Sequence, residues 1–474
     1  MTPDVRDREA SSLRTIGRTT LAGVGIGACY VLSPLSVLCM LAIIPLVRWA
    51  ARGLEEKERR WVLAVLVSAA AARALVILGL FLVTNHSQVP FGHIFGDEEY
   101  FIRRSLWMRN VALGLPVHRA DFVYAYDDYS RTSFLYVLAV LQALVGPAPY
   151  GAHLFSILCY VAASIVLYRL IRPSYGRLPA LLGLVLLLFL PTQFAWSLSA
   201  LKEPLYLLVM SVGLVAAVTA GRTKSEVRSS KSGGPSFLKR LGAIAVLIAA
   251  ALVAQTIREG GLVMAGAGAA GGLVLGLAGR RPRVLMGLAV VCLLATPLVV
   301  SRGRFKDRVV TAVRQVVAVH WGHVNTPGYV YTILDGSFYV RKASIQEVTF
   351  RQGVQYVIGS LVTYVLEPLP WKIQSRTALT YLPEQMVWYL MVALVPMGIA
   401  SGLRRDVLLT ALLATYAGTA AVLVAITSGN VGTLVRHRGL ALPYLLWFSV
   451  LGGCEVIAWL TRGNRNEPSP RTAG

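Results

Sequence analysis

The feature that most constrains this chain is the recurrence of apolar runs long enough to cross a lipid bilayer. A helical crossing needs about 20 apolar residues, and inside lipid only helices and closed barrels satisfy their own backbone hydrogen bonds. Runs that meet or approach this length lie at about 61–84, 152–170, 178–190, 205–220, 241–254, 262–278, 284–300, 387–403, 407–426 and 440–460. Only 15% of the 474 residues are charged, against about 25% in ordinary soluble domains. A soluble globular protein is therefore excluded.

A further apolar stretch at 21–46 is long for one crossing, and both of its flanks are basic. It fits either a single helix or a hairpin broken at Ser33-Pro34, and the sequence leaves both alternatives open. Counting this stretch, the fold class that the sequence predicts is an all-α polytopic membrane protein with about 11–12 transmembrane helices.

The net charge of +23 arises from 46 Lys and Arg against 23 Asp and Glu. In a soluble chain this excess would indicate nucleic acid, but here much of it lies in short loops between apolar runs. That distribution is the positive-inside pattern of a multi-pass protein of the plasma (inner) membrane, and no nucleic-acid partner is expected. The loops expected in the cytoplasm are 48–60, 172–177, 221–240, 280–283, 404–405 and the tail after 462.

Threading the chain between these loops divides it into segments. They are a cytoplasmic N-terminus and uncertain membrane segment (1–60), a core (61–220) with an outer loop at 85–131, a cytoplasmic linker (221–240), three transmembrane helices (241–300), an outer loop and juxtamembrane segment (301–386), three further transmembrane helices (387–461) and a cytoplasmic tail (462–474). The apolar stretch 132–145 is too short to cross. We expect it to lie along the outer interface as a juxtamembrane helix.

Acidic residues cluster at the expected outer surface. Asp97, Glu98 and Glu99 follow the first outward helix, and Glu203 follows Lys202 directly before a helix-starting proline. Clustered carboxylates repel one another unless a cation, a basic partner or a proton compensates. One of them could serve as a general base, and Asp97 is the preferred candidate. For Glu203, capping of the next helix is the alternative.

A hard divalent cation, Mg²⁺ or Mn²⁺, is the alternative role for three of these carboxylates, Asp97, Glu98 and Glu203. No other metal or cofactor is predicted. His320 and His323 have an HxxH spacing, but no third metal ligand accompanies them.

Basic residues on the same side lie against the positive-inside trend. Arg258 occupies a very short outer turn, and Arg436 and Arg438 lie in a glycine-containing outer turn. Guanidinium groups suit an anionic partner such as a phosphate. For Arg436 and Arg438 the alternative is interfacial snorkelling, and for Arg258 it is an ion pair with Glu259 or a neighbouring acid. Trp371 and Lys372 follow two helix-breaking prolines, and they suit either an aromatic-belt anchor or contact with a lipid carrier.

These motifs resemble the GT-C class of integral-membrane glycosyltransferases, which take sugars from polyprenyl-phosphate carriers on the outer side of the membrane. Gly96-Asp97-Glu98-Glu99 is similar to the acidic motif that opens the first outer loop of that class. The stretch 132–145, followed by Gly146-Pro147, resembles its juxtamembrane helix, and Leu201-Lys202-Glu203-Pro204 resembles its second acidic position. The resemblance covers about residues 61–220.

The resemblance implies an inverting sugar transfer from a polyprenyl-phosphate donor to a glycan, lipid or protein acceptor of the cell envelope. Asp97 would remove the acceptor proton, with Glu98 as a further catalytic carboxylate and Glu203 orienting the acceptor or a cation. The substrate-binding residues would be Lys202, Arg258, Arg436, Arg438, Trp371 and Lys372. Two alternatives stay open. A polysaccharide polymerase or ligase would rely mainly on Arg436 and Arg438, and a lipid-linked glycan flippase would show charges at mid-membrane.

Overall fold

The computed structural model describes residues 3–32, 34–128, 131–222, 237–281, 303–372 and 379–463, with isolated positions between 283 and 295. These residues form helices joined by turns, and no strand occurs among them. The helices of the first half are α1 (Pro3–Leu32), α2 (Pro34–Ala51), α3 (Glu56–Val83), α4 (Gly96–Ala112), α5 (Arg119–Ala125), α6 (Ser133–Val145), α7 (Gly151–Tyr175), α8 (Arg177–Phe189), α9 (Pro191–Leu198) and α10 (Glu203–Gly221). Those of the second half are α11 (Phe237–Ile257), α12 (Gly261–Gly279), α13 (Gly303–Val324), α14 (Phe350–Leu366), α15 (Leu382–Arg405), α16 (Val407–Thr427), α17 (Val431–Arg438) and α18 (Leu442–Gly463).

Eight of the described helices are long and apolar enough to cross a membrane. They are α3, α7, α10, α11, α12, α15, α16 and α18. An all-helical, multi-pass membrane protein is therefore confirmed as the coarse architecture. Each of these helices has an apolar stretch of about the length that a bilayer requires.

The described spans are fewer than the about 11–12 predicted, and three stretches account for the difference. The run 178–190 forms α8, which bends by 59° into α9 at Pro191, so these two helices make at most one broken span. Proline favours the first turn of a helix, which explains the break. The stretch 21–46, for which the sequence leaves one helix and a hairpin open, is divided between α1, which ends at Leu32, and α2, which begins at Pro34. The run 284–300 lies largely outside the described residues.

The chain forms two compact units. Unit 1 comprises residues 1–165, 195–208 and 256–258, and unit 2 comprises 166–194, 209–255 and 259–474. The predicted outer loop at 85–131 belongs to unit 1 and contains α4 and α5. It is followed by the predicted short helix, α6, where the hydroxyl of Thr132 accepts a hydrogen bond from the backbone N–H of Phe134. An apolar cluster around Phe101, Phe134 and Leu201 packs α6 against α4.

Unit 2 contains two closely packed helix pairs. Glycine residues 268, 272 and 276 of α12 face Leu408, Leu412 and Tyr416 of α16, and Gly398 and Gly452 bring α15 and α18 together. A Cβ atom at Gly272 would lie 2.6 Å from the Cα atom of Leu412. Small residues at a spacing of four allow such close helix packing in membranes.

Within the predicted outer segment of unit 2, α13 and α14 are joined by a connection that contains two 3₁₀ turns, Gly336–Tyr339 and Lys342–Glu347. His320 and His323 of α13 place their Nδ1 atoms 2.5 and 2.9 Å from the carbonyl oxygens of Ser428 and Thr427. Each ring thus satisfies a carbonyl at the C-terminus of α16, which intrahelical bonding would leave unpaired. The HxxH spacing is explained by helix capping.

Candidate functional site

The acidic motif forms the first turn of α4. Asp97, Glu98 and Glu99 follow Gly96, where the helix begins, and carboxylates are favoured there by the helix dipole. The three side chains nevertheless have different environments. Asp97 and Glu99 are exposed, and Glu99 forms an ion pair with Arg103 one turn later.

Glu98 is completely buried, in contrast to its two neighbours. Its Oε1 atom accepts a hydrogen bond from the backbone N–H of Phe95 at 2.9 Å. Its Oε2 atom lies 2.7 Å from Nε2 of His153 in α7, which is also completely buried. Both oxygens are engaged inside the protein, so Glu98 fixes the first turn of α4. Its catalytic role stays a prediction.

The second acidic motif packs beside the first. The ring of Phe95 stacks on Trp196 with centroids 4.2 Å apart, and the ammonium group of Lys202 lies 6.0 Å from the centre of the Phe101 ring. Glu203 begins α10 directly afterwards. The two acidic motifs therefore lie next to each other within unit 1.

Arg258 joins the same cluster from the C-terminal end of α11. Its Nη1 atom lies 3.7 Å from Oε1 of Glu203, and the two side chains are only 18% and 14% exposed. The preceding carbonyl, of Ile257, accepts a 2.6 Å hydrogen bond from the hydroxyl of Thr132 at the start of α6. The N-terminal ends of α4, α6 and α10 and the C-terminal end of α11 therefore meet at one place.

Two buried arginines of unit 1 were not predicted. Arg73 lies within the apolar helix α3, where its Nε donates to Oγ of Ser197 at 2.8 Å and its guanidinium lies over the ring of Tyr160. Arg104 donates to the carbonyl oxygens of Ala125 and Asp127 and thereby holds the end of α5. A lone arginine inside an apolar run is the sequence signal that could have identified Arg73.

Arg438 of unit 2 is buried, although it was expected to face a substrate. Its guanidinium donates to the carbonyl oxygens of Tyr364 and Glu367 and, at 2.9 Å, to Oε1 of Gln385. It also lies over the ring of Trp388, 4.8 Å from the centroid. Burial lowers the pKa of Arg438 to about 10, so the group is still charged at neutral pH. The residue caps the C-terminal end of α14, where a cation complements the helix dipole.

The remaining predicted binding residues also belong to unit 2. Arg436 is half-buried on α17, and Trp371 is 78% exposed in a short 3₁₀ turn, as an interfacial anchor would be. Lys372 ends that turn, but its side chain lies outside the described residues. The substrate roles of these three residues stay predictions.

Within the part of the chain that the structure describes, no group of three or more His, Cys, Asp or Glu side chains could hold a metal ion. Glu98 is engaged by His153 and Phe95, and Glu203 lies beside Arg258. The described side chains therefore favour hydrogen-bonding and ionic roles for these carboxylates.

Comparison with known proteins provides no family assignment. No protein-family model, curated protein or solved structure matches the chain.

Proposed function

We propose that the chain is a membrane glycosyltransferase with a GT-C-like core. It would transfer a sugar from a polyprenyl-phosphate donor to an envelope acceptor on the outer face of the plasma membrane. The observation that carries this proposal lies in unit 1, where the first turn of α4 carries the exposed Asp97. The residue before this helix, Phe95, stacks on Trp196, and Lys202 lies over the ring of Phe101 within α4. Glu203, next to Lys202, faces Arg258. A carboxylate and two cations at converging helix ends suit a reaction that removes a proton and releases a phosphate.

The proposed reaction forms a bond between an acceptor oxygen and the anomeric carbon of the sugar and breaks the bond from that carbon to the phosphate oxygen. Asp97 takes the acceptor proton, and the polyprenyl phosphate leaves as an anion. Asp97 suits the base role because it is exposed at a turn that the buried Glu98–His153 contact fixes. Positioning of this kind lowers the entropic part of the barrier.

Arg258 and Lys202 are the proposed partners of the leaving phosphate. A guanidinium has five N–H donors, so an ion pair of Arg258 with Glu203 is compatible with phosphate binding through other donors. In this proposal Glu203 orients Arg258, and the juxtamembrane helix α6 lies at the same place because Thr132 binds the carbonyl oxygen of Ile257. The polymerase or ligase alternative makes Arg436 and Arg438 primary. The burial of Arg438 as a helix cap argues against its half of that pair.

A lipid-linked glycan flippase is the second candidate, and Arg73 is the observation that favours it. This arginine is buried within an apolar helix, and charged residues inside membrane helices often mark transport pathways. Its hydrogen bond to Ser197 and its position over Tyr160 equally suit a fixed structural contact.

Proteoliposomes separate the two candidates. The purified protein is given a panel of short-chain polyprenyl-phosphate-linked hexoses and pentoses together with envelope glycan acceptors, and both transfer and donor translocation are measured. We expect sugar transfer, and we expect Arg258→Ala to weaken donor binding as well as turnover, because an arginine binds phosphate in the ground state too.

Arg103→Ala is the matched control, since it removes a cation that pairs with the exposed Glu99. It should leave transfer near the wild-type rate. Translocation of the donor without any transfer would refute the transferase proposal and support the flippase. Equal losses in Arg258→Ala and Arg103→Ala would remove Arg258 from the site.

A further inference from the structure

The segment between α13 and α14, residues 325–349, is held in place by buried side chains in unit 2. Leu334, Tyr339 and Val348 are buried in one apolar cluster with Val317 and Tyr356 of the two helices. The hydroxyl of Tyr339 also accepts hydrogen bonds from the backbone N–H groups of Ile333 and Leu334. Because these contacts fix the backbone on both sides of a turn, they also fix the positions from which its side chains project.

This segment and the start of α14 line a polar cavity of about 350 Å³ that is open to the surface, and most of its polar side chains are exposed. The volume is within the roughly 300–1,000 Å³ of small-molecule sites and is much larger than a single ion or water needs. The polar lining includes Asp335, Arg341, Glu347 and Gln355, and the half-buried ring of Phe338 supplies an apolar patch. None of these residues lies on a helix long and apolar enough to cross the membrane.

The lining indicates the class of ligand. Two hydrogen bonds from Ser337 hold the pKa of Asp335 below its usual value, so this group is a carboxylate at neutral pH. Two carboxylates disfavour an anion, and Arg341 disfavours a cation. Within the described residues no three metal-ligating side chains gather here. A neutral ligand rich in hydroxyl groups satisfies all of these side chains, because each hydroxyl both donates and accepts hydrogen bonds.

We propose that this cavity binds a neutral saccharide, with Asp335, Arg341, Glu347 and Gln355 bonding its hydroxyl groups and the Phe338 ring contacting its apolar face. The saccharide class rests on the cavity alone. That the bound saccharide is the acceptor glycan rests on the proposed function.

The test is binding of the detergent-solubilised full chain to an array of neutral oligosaccharides that end in hexoses, pentoses and N-acetylhexosamines. Sulfated and uronate-containing glycans are printed beside them. We expect binding to at least one neutral glycan and weaker binding to its charged relatives. Removing one hydrogen bond in Gln355→Ala should weaken the affinity about fivefold, and Arg341→Ala about tenfold.

Two matched controls lie on the same segment but outside the cavity lining. Lys342→Ala removes a neighbouring cation, and Gln346→Ala removes an exposed carboxamide, so both should keep wild-type affinity. Hydrogen exchange provides a measurement that needs no variant, since the bound glycan should slow exchange within 334–355. No binding to the array, a preference for charged glycans, or equal losses in cavity and control variants would overturn the proposal. Specific binding without any sugar transfer would support the cavity and count against the transferase.

Discussion

Arg438 makes buried structural contacts at the end of α14, although the sequence predicts a substrate-binding residue at this position. Its donors satisfy the carbonyl groups of Tyr364 and Glu367 at the end of α14 and the side chain of Gln385. Arg438→Met keeps much of the side-chain volume but leaves these buried acceptors without a donor, which costs about 3 kcal/mol of unfolding free energy. Arg438→Lys should recover only part of the loss, because an ammonium group lacks the planar fork of donors.

Unfolding in mixed detergent micelles measures this loss. Arg436→Met, two residues earlier and half-buried, is the control and should change the unfolding free energy by much less. Equal destabilisation by the two variants would contradict the capping role of Arg438.

His320 makes the stability of unit 2 depend on pH. Burial among Tyr331, Tyr339 and Tyr356 lowers the pKa of this imidazole to about 4, with His323 adding to the effect. An unfolded histidine titrates near pH 6.5, so between about pH 6.5 and pH 4 the unfolded state binds the proton and the native state does not. Stability should therefore fall as the pH is lowered through this window, by at most about 3 kcal/mol.

Thermal unfolding across this pH window checks the effect. His320→Gln should flatten the pH dependence, whereas His118→Gln, which changes an exposed ring, should preserve it. An unchanged pH profile in His320→Gln would show that another group is responsible.

In unit 1 the sequence identifies the acidic and basic residues of the candidate site, but it does not identify which of them contact each other. Local sequence identifies Asp97 through Glu99 as a helix-starting acidic turn, because such turns favour carboxylates. Whether Glu98 or Asp97 faces inward depends on His153, which is 55 residues away in the chain. Arg258 likewise has Glu203 as its ion-pair partner across the fold, although the adjacent Glu259 is nearer in sequence.

At the scale of elements, apolar periodicity predicts helices well and their close packing less well. The short helix expected at 132–145 is confirmed as α6. It could be predicted because its length and the Thr132 cap are local properties of the sequence. The glycines of α12 recur at a spacing of four, which is a readable packing signal. Their partner helix, α16, follows more than 100 residues later, and no local pattern identifies it.

The glycine spacing makes a specific prediction about the pairing of α12 with α16. Gly272→Ala adds only a Cβ atom, but that atom would lie 2.6 Å from the Cα of Leu412, so the helices must separate. We expect a loss of about 1–3 kcal/mol, as for other overpacked sites. Gly266→Ala on the same helix meets no atom within 4 Å and should be neutral or slightly stabilising, since alanine is the better helix former. Reversible unfolding in mixed micelles compares the two, and a neutral Gly272→Ala would contradict the packing.

For the whole molecule, the central sequence prediction is the orientation of the chain in the membrane. The positive-inside pattern expects Glu99 and Val340 on the outer side and Arg404 in the cytoplasm. All three positions are exposed, so single cysteines there, in a background without native cysteines, can be labelled with a membrane-impermeant maleimide. Intact cells should react at positions 99 and 340 and not at position 404. The reverse pattern would place the proposed site in the cytoplasm and contradict the use of an outer-face donor.

The helical, multi-pass architecture follows from the amount and spacing of apolar residues. The number of crossings is harder to predict, because Pro191 divides one apolar run into two bent helices and Pro34 begins a new helix within another. The proposed sugar transfer depends on which helix ends meet. Packing across the whole of unit 1 determines this arrangement.

The most direct test of Asp97 as the general base compares Asp97→Asn with Glu99→Gln in the proteoliposome transfer assay. Both variants neutralise an exposed carboxylate in the first turn of α4, so they alter the helix dipole interaction alike. We expect Asp97→Asn to lower kcat by about 10²- to 10⁴-fold with donor binding retained, whereas Glu99→Gln should stay close to wild type. Near-normal turnover in Asp97→Asn, or an equal loss in both variants, would contradict the assignment of Asp97 as the general base.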